Sequence, residues 1–404
     1  MRSAITIFFA VFLFSVSKAD TPEKRTVDYG GFSREYLLYT PQNSSAPKGI
    51  LICLHGFNSS MNNFFQDLNI TEIADSLNLL IIAPQALPEQ SAEVIEDAKN
   101  LERNYGQSIP LDAVWGCGLK VKITLLSFLP VLDDELNRNI DDTGFINQLI
   151  NNTLSEYSLP CDNIFMLGTS MGAYMTYQYA LQHGDRLAGI IPIAGTTGTA
   201  IRGRENATTL PVCDFHSLSD EVVPYSGVSG NSLLSITLGE NKEDVIKFWV
   251  NLNGAASAQI EDFPESKKIS VRKYTYFHAK NEVIHYQMSG APHAYFFSKA
   301  NGDAMDYIEE SIKFIVKHSV SGSNSIDTPV RGDLVFYPNP VENIIHFTAD
   351  NGYFSIYDLM GKKCFSGEFQ SAHAYISGLQ AGVYVIVVQT GGREYRAKLV
   401  LRQK

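Results

Sequence analysis

Between residues 49 and 215 the chain alternates short, continuously apolar runs with longer stretches of helical spacing. The runs lie at 49–54, 79–83, 164–167, 187–194 and 211–215. A short run without polar alternation is buried on both faces, and such runs separated by helices predict a mainly parallel sheet covered on each side. Helices are expected at 65–77, 142–157, 171–183, 241–252 and 302–318. In the second, Phe145, Leu149 and Ile150 share a face, and Asp141 and Asp142 suit the positive end of the helix dipole. Ahead of these elements, 25–39 alternates polar and apolar residues about Gly30-Gly31 and reads as a two-stranded start. Residues 87–132 show no clear period and are expected to form loops or a lid over one end of the sheet.

The pattern changes at Ser319-Val320-Ser321-Gly322-Ser323-Asn324-Ser325, which has no apolar face to bury and marks a linker over 319–333. Beyond it, β-branched and aromatic runs at 344–347, 353–357, 384–389 and 395–401 are punctuated by Asp350-Asn351-Gly352, Gly361, Gly378 and Gly391-Gly392. Short strands with glycine turns and no helix between them predict a small antiparallel sandwich. At the other end, Met1-Arg2 precedes the apolar run 5–16 and the small-residue pattern Ser17-Lys18-Ala19. That run is shorter than the roughly 20 residues a spanning helix needs and suits a signal peptide cleaved after Ala19. The expected organisation is a leader at 1–19, an α/β domain at 20–318, the linker, and an all-β domain at 334–404.

Composition narrows the partners. Of the 404 residues 45% are hydrophobic and 19% charged, which is globular. The 32 Lys+Arg against 43 Asp+Glu give a net charge of −11, opposing a surface built to neutralise phosphates, so nucleic acid is not an expected partner. The five cysteines, Cys53, Cys117, Cys161, Cys213 and Cys364, form no C-x-x-C pair, and no His-rich spacing suggests zinc. Cys53 and Cys213 sit inside apolar runs and are expected to be buried and unreactive. Pairing of Cys117 with Cys161 stays open.

The sharpest chemical signal is Gly168-Thr169-Ser170-Met171-Gly172, set between the run 164–167 and the helix opening at Met171. A nucleophile on such a turn has strained backbone, so small residues two positions either side let strand and helix pack closely. The bland alternative is a plain strand-to-helix turn. A serine hydroxyl needs a base to take its proton, and the base needs an acid to hold its tautomer. After this kind of elbow the acid follows and the histidine comes last. Asp220 lies just past the strand 211–215 and is the expected acid, against a reading as a turn-capping aspartate. Among the nine histidines, His293 stands in the turn-rich Ser289-Gly290-Ala291-Pro292-His293-Ala294-Tyr295 and is the expected base. His278 and His285 read as half-buried polar residues, and His318 as a helix-end cation. Backbone amides of Phe57, in the loop His55-Gly56-Phe57-Asn58, and of Met171 are the expected oxyanion donors. His55 precedes the serine and is expected to brace that loop rather than act as base.

At these residues the chain resembles secreted esterases of the α/β-hydrolase fold, the polyhydroxybutyrate depolymerase-like and feruloyl esterase-like enzymes. The resemblance is carried by Leu54-His55-Gly56, Asp141-Asp142-Thr143-Gly144-Phe145-Ile146, the elbow, the segment from His216 to Tyr225, and Pro292-His293. It implies that Ser170, Asp220 and His293 take the catalytic roles. One departure is that the histidine loop lacks the glycine-rich approach and the following Trp-Pro pair common in that family. The end of the chain resembles the C-terminal sorting domains of the type IX secretion system, through Phe336-Tyr337-Pro338-Asn339-Pro340, Ile356-Tyr357-Asp358-Leu359-Met360-Gly361-Lys362, Gly378-Leu379-Gln380-Ala381-Gly382-Val383-Tyr384 and Lys398-Leu399-Val400. That implies export across the periplasm to the surface or medium. A carbohydrate-binding sandwich is the alternative, but neither Trp115 nor Trp249 falls there, and sugar platforms favour tryptophan.

Together these readings predict an exported serine esterase without metal or organic cofactor. Its expected substrate is a small or polysaccharide-linked carboxylic ester, feruloyl or acetyl, and its expected partner is the type IX machinery. The alternatives are a polyhydroxyalkanoate depolymerase or other lipase- or peptidase-type hydrolase, and a non-catalytic surface binding protein that keeps the fold.

Overall fold

The computed structural model describes residues 21–41, 47–106, 108–125, 129–230, 234–255, 257–277 and 281–319, and from 336 onward 336–337, 344–347, 351–358, 362–370, 373–390 and 393–401. The leader at 1–19 and all of the linker after residue 319 lie outside the described residues. The chain divides into two compact units, Met1–Ser321 and Gly322–Lys404.

The first unit is organised by a ten-stranded sheet. Its order is Glu23–Tyr29, Phe32–Tyr39, Leu79–Pro84, Gly49–Leu54, Ile164–Thr169, Gly189–Ile193, Val212–Ser217, Val283–Ser289, Ser270–Tyr276 and Ala258–Asp262. Neighbours from Leu79–Pro84 through Val283–Ser289 run parallel, and antiparallel hairpins extend both edges. Alternate residues of one strand feed separate cores. Ile50, Ile52 and Leu54 join one buried cluster while Leu51 and Cys53 join the other, as the period of two requires for a sheet covered on both faces. Burial raises the thiols of Cys53, Cys117 and Cys213 above their ordinary value, which leaves them protonated and inert. Cys117 is buried, Cys161 is exposed, and all five cysteines are free.

Helices Asp142–Tyr157 and Met171–His183 span the expected residues, and Lys242–Leu252 starts one residue late because Asn241 is its N-cap. The helix expected over 65–77 is two helices, Met61–Asp67 and Thr71–Leu77. Asn69 at φ 46° adopts the left-handed conformation that interrupts a right-handed helix. The last helix begins at Tyr307 rather than 302, because Asp306 caps it by accepting from the amides of Ile308 and Glu309 at 2.9 and 3.3 Å.

The region 87–132 is more regular than expected. It contains the helix Ala92–Tyr105, capped by Ser91, and the strand Lys120–Leu125. That strand pairs with Leu129–Glu135 on one side and Leu234–Thr237 on the other, and Val228–Gly230 completes a four-stranded antiparallel sheet. The second unit is an antiparallel seven-stranded sheet with its own core of Ile345, Phe347, Phe354, Ile356 and Phe369. Among the described residues no helix is long and apolar enough to cross a membrane.

Candidate active site

Ser170 joins the strand Ile164–Thr169 to the helix Met171–His183 with φ 53° and ψ −121°. A side chain on positive φ costs about 1–3 kcal/mol and persists only where the surroundings impose it. Here close packing of strand and helix surrounds the turn, and the glycines permit it. A Cβ on Gly168 would strike the Gly172 carbonyl, and a Cβ on Gly172 would strike the Leu54 carbonyl. The Ser170 amide donates to the Ile193 carbonyl at 2.8 Å, fixing the turn from the neighbouring strand.

Three distant side chains meet there. His293 Nε2 lies 3.0 Å from Ser170 Oγ, and His293 Nδ1 lies 2.8 Å from Asp220 Oδ2. An ionised carboxylate only accepts, so Nδ1 carries the proton and Nε2 offers its lone pair to the serine hydroxyl. Asp220 Oδ1 accepts from the amides of Val222 and Val223 at 2.9 and 2.8 Å. Burial pushes this carboxyl up, but His293 and the Val223 amide outweigh it and hold Asp220 below the usual carboxylate range.

Two serines that the sequence did not single out knit the acid loop to the histidine loop. Ser217 Oγ donates to the Ala291 carbonyl at 2.6 Å, and the Gly290 amide donates to Ser219 Oγ at 2.9 Å. Behind them, Asp214 pairs with Lys242 at 2.7 Å and His285 at 2.8 Å in full burial. His285 and Asp214 face one another across parallel strands, which sets the register of the two strands that lead to His293 and Asp220. His318 is the last residue of its helix and lies 3.1 Å from Glu282, and His278 lies outside the described residues.

Among the described residues the amides of Phe57 and Met171 have no acceptor within the protein. Both residues line the same cavity as Ser170. Gly56 abuts Ser170 closely, since a Cβ there would lie 3.3 Å from Ser170 Cβ. His55 is buried, with Nδ1 2.8 Å from the Gly56 carbonyl and Nε2 3.1 Å from the Ala86 amide.

The cavity measures about 500 Å³. Its walls come largely from the region that lacked a legible period: Leu101 from the helix Ala92–Tyr105, Val121 and Ile123 from the inserted sheet, with Ile236, Leu238 and Tyr174 closing it. The signal that could have found them is the alternation Lys120-Val121-Lys122-Ile123, which buries Val121 and Ile123 and exposes Lys122. Among the described residues no group of three or more His, Cys, Asp or Glu side chains is placed to hold a metal.

The mainly parallel sheet with helices between its strands and the strand-to-helix turn at Ser170 give the first unit the fold class of an α/β-hydrolase. Residues 132–247 match the phospholipase/carboxylesterase family model, and residues 335–402 match that of a secretion system C-terminal sorting domain. The bifunctional acetylxylan esterase/xylanase XynS20E of Neocallimastix patriciarum is 21% identical over 201 residues, 50% of this chain and 23% of that protein. The chain thus spans under a quarter of the length of that relative. Among solved structures, the acetyl xylan esterase from Aspergillus awamori superposes with TM-score 0.46 at 14% identity, covering 72% of this chain and 99% of that one. Est1E from Butyrivibrio proteoclasticus gives TM-score 0.40 at 12% identity, covering 73% and 98%.

Proposed function

We propose that the first unit is a serine esterase in which Ser170, His293 and Asp220 act as nucleophile, base and orienting acid. Ser170 Oγ attacks the ester carbonyl carbon while His293 Nε2 takes the hydroxyl proton, and the developing oxyanion receives the amides of Phe57 and Met171. Collapse breaks the bond to the alcohol oxygen, which leaves with the proton from His293. Water then gives a proton to His293 and its oxygen to the acyl carbon, releasing the acid and restoring the serine. The observation that carries this reading is the Ser170–His293–Asp220 chain at 3.0 and 2.8 Å opening on the apolar cavity.

The substrate is a carboxylic ester with an apolar group on the acyl side, feruloyl in preference to acetyl among polysaccharide esters, because the cavity is far larger than an acetyl group fills. The carboxylesterase match over 132–247 and the curated acetylxylan esterase relative support ester chemistry. The match over 335–402 supports export through the type IX machinery to the cell surface or medium. The test is hydrolysis of methyl ferulate and p-nitrophenyl butyrate by the purified chain and by Ser170→Ala. The variant is expected to lose about 10⁴-fold or more in kcat. Wild-type turnover by Ser170→Ala removes the serine from the mechanism.

A further inference from the structure

We propose that the Tyr174 hydroxyl determines specificity by pairing with an oxygen carried on the acyl group of the substrate. This rests on the reading of Ser170 and its cavity given above, and it adds a polar requirement to a pocket that volume alone leaves open to any hydrocarbon chain.

The helix places the residue. Tyr174 stands four positions after Ser170, in Met171–His183, and its amide donates to the Ser170 carbonyl at 3.4 Å. Residues four apart share a helix face, and a helical side chain leans toward the N-terminus over the preceding turn. The phenol therefore leans toward the turn that carries Ser170, and the two residues line one cavity. Backbone approaches both ring edges. A Cβ on Gly195 would lie 3.4 Å from Tyr174 Cδ2, and a Cβ on Gly239 would lie 3.2 Å from Cε1, which leaves the ring little room to swing away.

Four lining residues carry a hydroxyl: Tyr105, Ser108, Ser170 and Tyr174. Tyr105 and Ser108 are exposed, so water can satisfy them. Ser170 has His293 at 3.0 Å. Tyr174 is 1% exposed, and among the described residues its hydroxyl has no hydrogen-bond partner. Val121, Ile123, Ile236 and Leu238 in the same wall are hydrocarbon and offer none.

A buried hydroxyl left unpaired forfeits the hydrogen bonds it makes in water. A substrate oxygen that presses against this wall restores one without displacing bulk water, whereas a methylene or ring C–H at the same place leaves the deficit standing. Burial, with Cys117 and Asp220 adding to it, pushes the phenol well above its ordinary value, so it keeps its proton. It can donate to a hydroxyl or methoxy oxygen and accept from a hydroxyl.

An aromatic and an aliphatic hydroxyl offer this same chemistry, and two pairs of esters tell them apart. The assay is kcat/KM on methyl p-coumarate against methyl cinnamate, and on ethyl 3-hydroxybutyrate against ethyl butyrate, with the purified full chain and with Tyr174→Phe. Tyr174→Phe is expected to lower the ratio of oxygenated to oxygen-free ester by about 5- to 10-fold in at least one pair. The pair that responds identifies the kind of acyl group. Because phenylalanine keeps the ring and removes only the unpaired hydroxyl, Tm is expected to equal or exceed that of the unsubstituted chain. Ratios that stay within about twofold in both pairs overturn the assignment. So does a Tm lowered by about 3 °C or more, which would give the hydroxyl a partner within the protein. Failure of the underlying reading is distinct, since it appears as an active Ser170→Ala.

Discussion

The cavity wall sets a quantitative expectation for acyl-chain preference. Val121, Ile123, Ile236 and Leu238 present hydrocarbon to a space of about 500 Å³ that Ser170 also lines. Each methylene that leaves water for such a surface is worth about 0.8 kcal/mol, which is about fourfold in kcat/KM. Octanoyl exceeds acetyl by six methylenes, so complete transfer would give roughly 5 kcal/mol. The mouth is open, with Tyr105 at 49% and Val222 at 55% exposure, so about half of that is realised, or roughly 10²-fold. The assay is kcat/KM on p-nitrophenyl esters from acetate to dodecanoate, rising to a maximum and then falling once the chain outgrows the cavity. Ile123→Trp fills the wall and should cut the octanoate-to-acetate ratio by about tenfold or more. A profile that is flat or highest at acetate, with the same ratio in Ile123→Trp, refutes the assignment of this cavity to the acyl group.

Lys242→Met removes the ammonium from the fully buried Asp214 carboxylate, leaving it only His285 and the Tyr177 hydroxyl, and should cost about 3–5 kcal/mol in urea denaturation; a cost under about 1 kcal/mol would show that the remaining partners suffice for the buried charge. Acid should weaken the fold before carboxylates titrate: His55 falls from 6.5 to about 4 on folding, so the unfolded chain takes up its proton first. The stability from this group is complete above pH 6.5 and lost between pH 6.5 and 4, about 3 kcal/mol in all, and a urea midpoint constant across that window contradicts it. Deleting 334–404 is expected to leave kcat/KM unchanged in the purified enzyme while blocking release from the native host, and undiminished release of the truncated chain would end the sorting proposal.

Local signals made much of the site legible. Positive φ at Ser170 needs glycine on both sides, so the elbow is written in five consecutive residues. Asn241 and Asp306 cap helices that the hydrophobic period starts one and five residues too early, a local signal that spacing alone does not use. The break at Asn69 was harder, since asparagine tolerates the left-handed conformation without demanding it.

Apolar period, glycine and cap chemistry act over a few residues, so the layered α/β class, the glycine-flanked turn at Ser170 and the separate β-rich end are written locally in the chain. The cavity and the bracing around it arise instead from contacts between distant segments. Ile123 gains its neighbour Ile236 through pairing across the chain, and His55 acquires its tautomer from Ala86. A side chain's chemistry at such places is set by partners that chain folding supplies, and no short stretch of sequence contains them.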